Sequence, residues 1–94
     1  MDFLGFALDI ENQDWALEQI CLPEDSGMVG KNLQELQLSN YLKVLALIRN
    51  GERHFEITGE TRLEAQDMLI VLGKRKELHR LHVRYLPGES GRAS

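Results

Sequence analysis

What this sequence lacks excludes several classes of protein. It contains a single cysteine, Cys21, so no disulfide can form within the chain. Its longest uninterrupted apolar runs, residues 44–48 and 68–72, have five residues each, whereas roughly 20 are needed for a helix to cross a bilayer. Cys21 stands between Ile20 and Leu22 with no cation beside it, which predicts a buried, unreactive thiol.

The sequence also lacks a recognisable catalytic motif. No serine occupies a nucleophile elbow, no cysteine and histidine have the spacing of a catalytic pair, and Gly30-Lys31 is not followed by the serine or threonine of a phosphate-binding loop. His79 and His82 lie three residues apart, but the neighbouring sequence does not supply the two further ligands that zinc requires. We therefore expect no catalytic residue, no metal site and no enzymatic activity.

Charge is abundant and unevenly distributed. The 94 residues suffice for one small domain and carry a net charge of −4. Residues 1–40 hold eight acidic residues and one basic residue, whereas residues 74–94 hold two acidic and six basic residues. The basic cluster within residues 74–84 fits a solvated helix face, an interface with the acidic third of a second copy, or contact with an anionic lipid or nucleotide. The overall acidity argues against nucleic-acid binding.

Residues 32–38 are predicted to form a short amphipathic helix. Leu33 and Leu36 share one face at helical spacing. Asn32 and Glu35 have the spacing of a capping box. The polar pair Ser39-Asn40 is expected to end this helix, which would press its leucines onto an apolar surface.

Four segments have the composition of β-strands, namely residues 15–22, 41–49, 52–58 and 68–72. The apolar run in residues 41–49 is typical of a strand buried on both faces. Asn50-Gly51 is a strong hairpin signal because both residues accept a positive φ. Alternation in the returning strand predicts that Phe55 and Ile57 face inward.

The chain ends with a predicted strand, helix and tail. Gly73 is expected to end the last strand, and a helix over residues 74–86 follows with Leu78, Leu81 and Tyr85 on one face. The order β-α-β-β-β-α, without a crossover long enough for parallel pairing, predicts an α+β fold with a small, mainly antiparallel sheet and a helix packed on it. Two flanking segments complete the predicted organisation: an N-terminal extension or extra strand at residues 1–14, with alternation at residues 6–11, and a disordered tail at residues 87–94.

The sequence resembles the TrkA C-terminal domain, also called the RCK-C domain, over about residues 15–86. Residues 29–36, V-G-K-N-L-Q-E-L, match the V-G-K-x-L-x-x-L opening of that family. Further matches follow in order: the apolar strand and R-x-G hairpin at residues 44–51, Leu63, Asp67, the apolar strand ending in glycine at residues 68–73, and Leu78 and Leu81 of the closing helix. Gln66 departs from the pattern, because the family usually has glycine there, and the proline common after the hairpin is missing.

This resemblance implies a regulatory module on the cytoplasmic side of potassium channels and other cation transporters. Such domains pair as homodimers and bind a small ligand at or near the dimer interface, in some members cyclic di-AMP and in others a divalent cation. The nucleotide-binding half of these regulators is not recognisable, since no G-x-G-x-x-G follows a strand. We therefore expect either an excised piece of a longer protein or a lone C-terminal module.

From the resemblance we expect a ligand site in a groove lined by the hairpin. The candidate ligand-binding residues are Arg49, Asn50, His54 and Ile57, and the candidate ligands are a cyclic di-nucleotide or a divalent cation. For His54 alone, a solvated strand residue is the simpler interpretation. The expected partners are a second copy and a membrane cation channel or transporter, with no nucleic acid. The alternative function is a ligand-free dimerisation module of a larger membrane-transport protein.

Overall fold

The computed structural model describes residues 14–86, which form a four-stranded antiparallel sheet with two helices on one face. The elements in chain order are β1 (Trp15–Cys21), α1 (Leu33–Leu36), β2 (Leu42–Arg49), β3 (Glu52–His54), β4 (Met68–Lys74) and α2 (Arg75–Tyr85). The strands lie side by side in the order β1-β4-β2-β3. The predicted α+β class and element order are thus confirmed. The expected strand at residues 6–11 and tail at residues 87–94 lie outside the described residues.

The hydrophobic core lies between one face of the sheet and the helices. Ile20, Leu69 and Val71 project toward the helices and are at most 1% exposed. Leu78 and Leu81 of α2 belong to the same buried cluster, as their helical spacing predicts. The other buried members of this core are Leu22, Met28, Leu36, Val44, Leu47, Leu63 and Leu86. Within residues 14–86, neither helix combines the length and apolarity needed to span a bilayer.

The capping box that the sequence predicts for α1 is present. The Asn32 backbone N–H donates to Glu35 Oε1 at 2.8 Å, and the Glu35 N–H donates to Asn32 Oδ1 at 2.7 Å. The predicted end of the helix is wrong, because α1 stops at Leu36. Gln37 adopts a left-handed conformation with φ of 48°, and its N–H donates to the Gln34 carbonyl oxygen at 3.2 Å. This cap is of the kind that glycine usually provides, so the sequence carried no sign of it.

The hairpin forms where it was predicted, but its second strand is short. Asn50 and Gly51 have φ values of 53° and 82°. β3 pairs only with residues 47–49 of β2, and β2 has a bulge at Leu45 in its pairing with β4. Phe55 is consequently 70% exposed, so its predicted inward position is wrong. Ile57 packs against the core as predicted.

Gly73 lies within β4 rather than ending it, which corrects the prediction. It pairs with Ala16 of β1 and with Leu42 of β2. A Cβ atom at this position would lie 2.8 Å from the Tyr41 carbonyl oxygen. Glycine is therefore required by the close approach of a neighbouring backbone, and not by the end of a strand.

The opposite face of the sheet, here named the open face, is not covered by either described helix. Strand alternation places on it Trp15, Leu17, Gln19 and Cys21 of β1, Lys43, Ala46 and Ile48 of β2, Arg53 of β3, and Met68, Ile70, Leu72 and Lys74 of β4. Cys21 is exposed, so the expected buried thiol is wrong. The reason is that its neighbours Ile20 and Leu22 take the core side. The middle of β2 is buried on both faces, since Val44 and Leu47 on the core side and Ala46 on the open face are at most 8% exposed, whereas Leu45 at its bulge is 38% exposed.

Candidate functional site

A charged pair links the end of β2 to the beginning of β4. Because Ile48 pairs with Met68 in the antiparallel ladder, the next residues, Arg49 and Asp67, lie side by side. Arg49 Nε donates to Asp67 Oδ1 at 2.8 Å, and Arg49 Nη2 donates to Asp67 Oδ2 at 2.7 Å. This two-point geometry is the strongest arrangement of a guanidinium and a carboxylate. The Asp67 side chain is 1% exposed and that of Arg49 is 28% exposed.

Further contacts connect this pair to the loop before β4. The Glu64 N–H donates to Asp67 Oδ2 at 2.8 Å, and Arg49 Nη2 also donates to the Arg62 carbonyl oxygen at 2.9 Å. Arg49 Nη1 lies 3.2 Å from Glu64 Oε2. Burial alone would raise the pKa of Asp67, but hydrogen bonds from Arg49 and the Glu64 N–H, together with the Arg49 charge, outweigh it and hold that pKa below its usual value.

The same loop contains a strained residue next to the ion pair. Gln66 has a φ of 71°, and its N–H donates to the Leu22 carbonyl oxygen at 2.8 Å. This is the position at which the sequence departs from the family pattern, and its left-handed backbone explains why glycine is favoured there. For a residue with a Cβ atom, this conformation is strained by roughly 1–2 kcal/mol. Glycine would avoid the strain, but its greater conformational freedom in the unfolded chain would offset part of the gain in stability.

Replacing Gln66 with glycine is therefore expected to stabilise the domain by about 0.5–1 kcal/mol. Chemical denaturation followed by circular dichroism measures the change. Gln34→Gly is the matched control, because Gln34 is an exposed residue of α1 and the same substitution in a helix should destabilise by about 1 kcal/mol. A loss of stability in Gln66→Gly would show that contacts of the Gln66 side chain outweigh the backbone strain.

The four predicted ligand-binding residues occupy different environments. Arg49 directs its guanidinium to Asp67, Glu64 and the Arg62 carbonyl oxygen. Asn50 forms the turn of the hairpin. His54 is exposed at the end of β3, opposite Leu47. Ile57 is half-buried after β3. A ligand-binding role for these residues stays a prediction.

Ile57 lines a groove of about 310 Å³ between α1, β2 and residues 57–59. The groove is lined by the apolar residues Leu33, Leu38, Leu42, Val44 and Ile57, and its other lining residues are Gln34, Gln37, Lys43, Thr58 and Gly59. The Gln34 N–H donates to the Gly59 carbonyl oxygen at 2.9 Å, which joins two of its walls. Arg49, Asn50 and His54 are not among the residues that line this groove.

The early end of β3 gives the groove its polar groups. Since β3 pairs only with residues 47–49, the edge of β2 at residues 42–44 borders the groove with main-chain groups that no strand of the described residues pairs with. Amides of Gln34 and Gln37 and the hydroxyl of Thr58 add side-chain donors and acceptors. The lining contains no histidine, cysteine or carboxylate. Such a groove can hold an organic ligand by apolar contact and hydrogen bonds.

Of the predicted ligand-binding residues, Ile57 lines this groove, and the sequence did not indicate the other lining residues. The sequence pattern placed Leu33 on a helix face and residues 42–44 in a buried strand. Neither pattern indicates which edge of a strand lacks a partner strand. The short length of β3 decides that. The pairing of Arg49 with Asp67 was also missed. Arg49 directly follows one apolar run, and Asp67 directly precedes the next. In two antiparallel strands these positions are neighbours, so the sequence did carry a signal for this ion pair.

The two histidines of α2, His79 and His82, lie in different environments. His82 Nε2 lies 2.7 Å from Glu18 Oε1, a contact that joins α2 to β1. His79 is exposed on the same helix. Among residues 14–86, no group of three or more histidine, cysteine or acidic side chains is arranged to hold a metal ion.

Comparisons of sequence place the chain near a family of transport-associated domains. The TrkA-C domain model matches residues 17–83. The K(+)/H(+) antiporter NhaP2 of Shewanella oneidensis is 34% identical over 68 residues. That match covers 72% of this chain but 12% of the antiporter, so the chain corresponds to a small part of that relative's length.

Two solved structures share the fold. The RCK C domain of the potassium transport protein KtrA, in complex with cyclic diadenosine monophosphate (c-di-AMP), has a TM-score of 0.67 at 21% identity, covering 85% of this chain and 93% of that chain. The RCK_C domain dimer of S. agalactiae BusR, in complex with c-di-AMP, has a TM-score of 0.65 at 20% identity, covering 76% of this chain and 90% of that chain. At these identities the likeness establishes the fold alone.

Proposed function

This chain belongs to the TrkA-C domain family, and from that premise we propose that it is a regulatory domain that senses a small ligand for a potassium or other cation channel or transporter. The observation that carries the proposal is the groove between α1 and β2, which combines apolar side chains with amide and hydroxyl groups beside a part of β2 that β3 does not reach. Its lining includes no histidine, cysteine or carboxylate, and we propose binding without catalysis.

We propose a cyclic di-nucleotide as the ligand. The apolar side chains of Leu38 and Ile57 suit the faces of a base, and the edge of β2 supplies main-chain groups for polar atoms. The KtrA and BusR domains that share the fold were solved with c-di-AMP. A divalent cation is the second candidate, and the absence of a three-ligand cluster within residues 14–86 makes the organic ligand the better fit.

The mechanism that we propose is a population shift in a homodimer. The groove is open to solvent on one side, so a second copy can cover a ligand seated in it, and the BusR domain was solved as a dimer. A ligand that binds one dimer arrangement better than another biases the attached channel or transporter by its differential affinity. The domain would act on the cytoplasmic side, as part of a membrane transport protein or bound to one.

Saturating c-di-AMP is expected to raise the melting temperature of a dimer. At a ligand concentration 100 times its dissociation constant, the stabilisation is about 2.7 kcal/mol. Ile57→Ala should weaken binding about tenfold, which is about 1.4 kcal/mol. Phe55→Ala is the matched control, because Phe55 is 70% exposed and does not line the groove. An equal loss of c-di-AMP affinity in His54→Ala would show that the site extends to the hairpin, as the sequence predicts.

Two results would contradict the proposal. A dimer that persists on dilution, measured by sedimentation, but responds to neither c-di-AMP nor divalent cations would favour the ligand-free dimerisation module. A monomer at every accessible concentration would remove the interface on which the mechanism depends. Binding of duplex DNA by the same sample would contradict the separate expectation that the domain has no nucleic-acid partner.

A further inference from the structure

The open face combines exposed apolar area with charge of one sign. On this face Leu17 is 62% exposed and Met68, Ile70 and Ile48 are half-buried, whereas Ala46 and Leu72 are at most 5% exposed. Exposed apolar side chains grouped on one face of a sheet favour a docking surface. The only charged residues that strand alternation places on this face are Lys43, Arg53 and Lys74. The open face therefore fits an apolar partner that carries negative charge.

An aromatic corner marks one end of the open face. The rings of Trp15 and Tyr41 meet edge to face with centroids 6.3 Å apart, and Lys74 Nζ lies 4.6 Å from the centre of the Tyr41 ring. The chain enters the described domain at this corner. The Asp14 carbonyl oxygen is held there by the Arg75 N–H at 2.9 Å. Residues 1–13 are thus tethered beside the surface in question.

We propose that residues 1–13 of this chain dock on the open face. The segment contains six large apolar residues and three acidic residues with no lysine or arginine, in sequence Met1, Asp2, Phe3, Leu4, Phe6, Leu8, Asp9, Ile10 and Glu11. Its composition complements the apolar, cationic surface next to which it is tethered. Thirteen residues reach about 43 Å when extended, whereas seven-residue β1 spans about 23 Å. The segment is therefore long enough to cross the face.

The same charges argue against a second copy as the occupant. In a two-fold pairing of open faces, each copy presents the same cations to the other without a carboxylate among them. Like charges brought together in this way oppose association. An anionic membrane is the other conceivable surface, and attraction of only three cations to it is weak.

Two natural probes on the open face allow a test in the full chain. Cys21 is the only cysteine and Trp15 the only tryptophan. The double variant Leu8→Asp/Ile10→Asp should increase the rate of Cys21 alkylation by a neutral maleimide roughly tenfold, since protection falls with the docked population. The emission of Trp15 should shift to the red. Gly91→Asp/Ala93→Asp, which adds the same charges at the other terminus, is the matched control and should change neither signal.

A second variant separates undocking from a local effect on the thiol. Asp9→Lys/Glu11→Lys should also speed alkylation, because it removes the complementary charges. Added negative charge near a thiol slows thiolate formation and added positive charge speeds it, so acceleration by both double variants can come only from loss of cover. Circular dichroism checks that the variants remain folded.

Three outcomes would overturn this inference. The first is equal alkylation rates and equal Trp15 emission in the wild type and both variants. The second is protection that rises with protein concentration and is the same in all three chains, which would assign the open face to a second copy. The third is protection that appears only with phosphatidylserine vesicles and is unaffected by the substitutions, which would assign it to a lipid surface.

Discussion

Replacing Arg49 with alanine is expected to destabilise the domain by about 3 kcal/mol, because removal of one partner strands a buried charge. Asp67 is 1% exposed, and without the guanidinium its carboxylate keeps only the hydrogen bond from the Glu64 N–H. It must then stay charged in apolar surroundings or take up a proton, and both alternatives cost free energy. Urea denaturation measures the loss.

Matched variants show whether the pair itself causes this loss. Arg53→Ala removes an exposed arginine from the neighbouring strand and should cost no more than about 0.5 kcal/mol. The double variant Arg49→Ala/Asp67→Ala should be less destabilised than the sum of the two single variants, since the second substitution removes the stranded charge. Strict additivity in this cycle, or a loss no larger than that of Arg53→Ala, would contradict the interpretation.

The pair also gives the stability of the domain a defined acid dependence. The pKa of Asp67 is lower in the folded protein than its ordinary value, so the unfolded chain binds the proton more readily. The contribution of Asp67 is fully present above the ordinary aspartate pKa of about 3.9 and is lost as the pH falls through the folded value. This part of the acid-induced loss should shrink in Arg49→Ala, which provides a second readout of the same interaction.

The element order was predictable because local signals and the global fold agree. Asn50 and Gly51 both adopt the positive φ that their types predict, and Asn32 and Glu35 close the capping box that their spacing predicts. Alternation and apolar runs located every strand of the described residues. The resemblance to the TrkA-C family rested on the same segments, and the family match over residues 17–83 confirms it.

Two of the errors arise where the backbone departs from regular geometry and the sequence carries no glycine or proline. Gln37 ends α1 in a left-handed conformation that its side chain does not indicate. β2 has a bulge at Leu45, and β3 ends at His54, which leaves Phe55 exposed. Neither event follows from hydrophobic periodicity, because both depend on how neighbouring segments pack.

The candidate groove was beyond sequence reasoning for the same reason. Its walls come from three segments separated in the chain, and its polar edge exists because β3 ends at His54. Ile57 was singled out through the family resemblance and lies in this groove, whereas Arg49 was singled out in the same way and is bonded to Asp67. The family resemblance thus singled out residues in and around the hairpin, but the pairing of the strands determines which of their side chains face the groove.

Gly73 provides the second large expected effect, and it tests this view of the fold directly. Replacing Gly73 with alanine should cost about 2 kcal/mol through overpacking. The new Cβ atom would lie 2.5 Å from Leu42 Cδ2 and 2.8 Å from the Tyr41 carbonyl oxygen. The leucine methyl group can move, but the oxygen is fixed, since it accepts a hydrogen bond from the Lys74 N–H at 3.0 Å. Thermal and urea denaturation measure the loss.

Gly51 is the control that separates crowding from backbone conformation. It has a φ of 82°, and no atom lies within 4 Å of the position that a Cβ atom would occupy, so Gly51→Ala should cost about 1 kcal/mol through backbone strain alone. Asparagine tolerates the left-handed region, and Gly51→Asn should therefore be milder than Gly51→Ala. At Gly73 the order should reverse, because the larger side chain meets the Tyr41 backbone. A milder effect of Gly73→Asn than of Gly73→Ala would show that close approach is not the reason for glycine at this position.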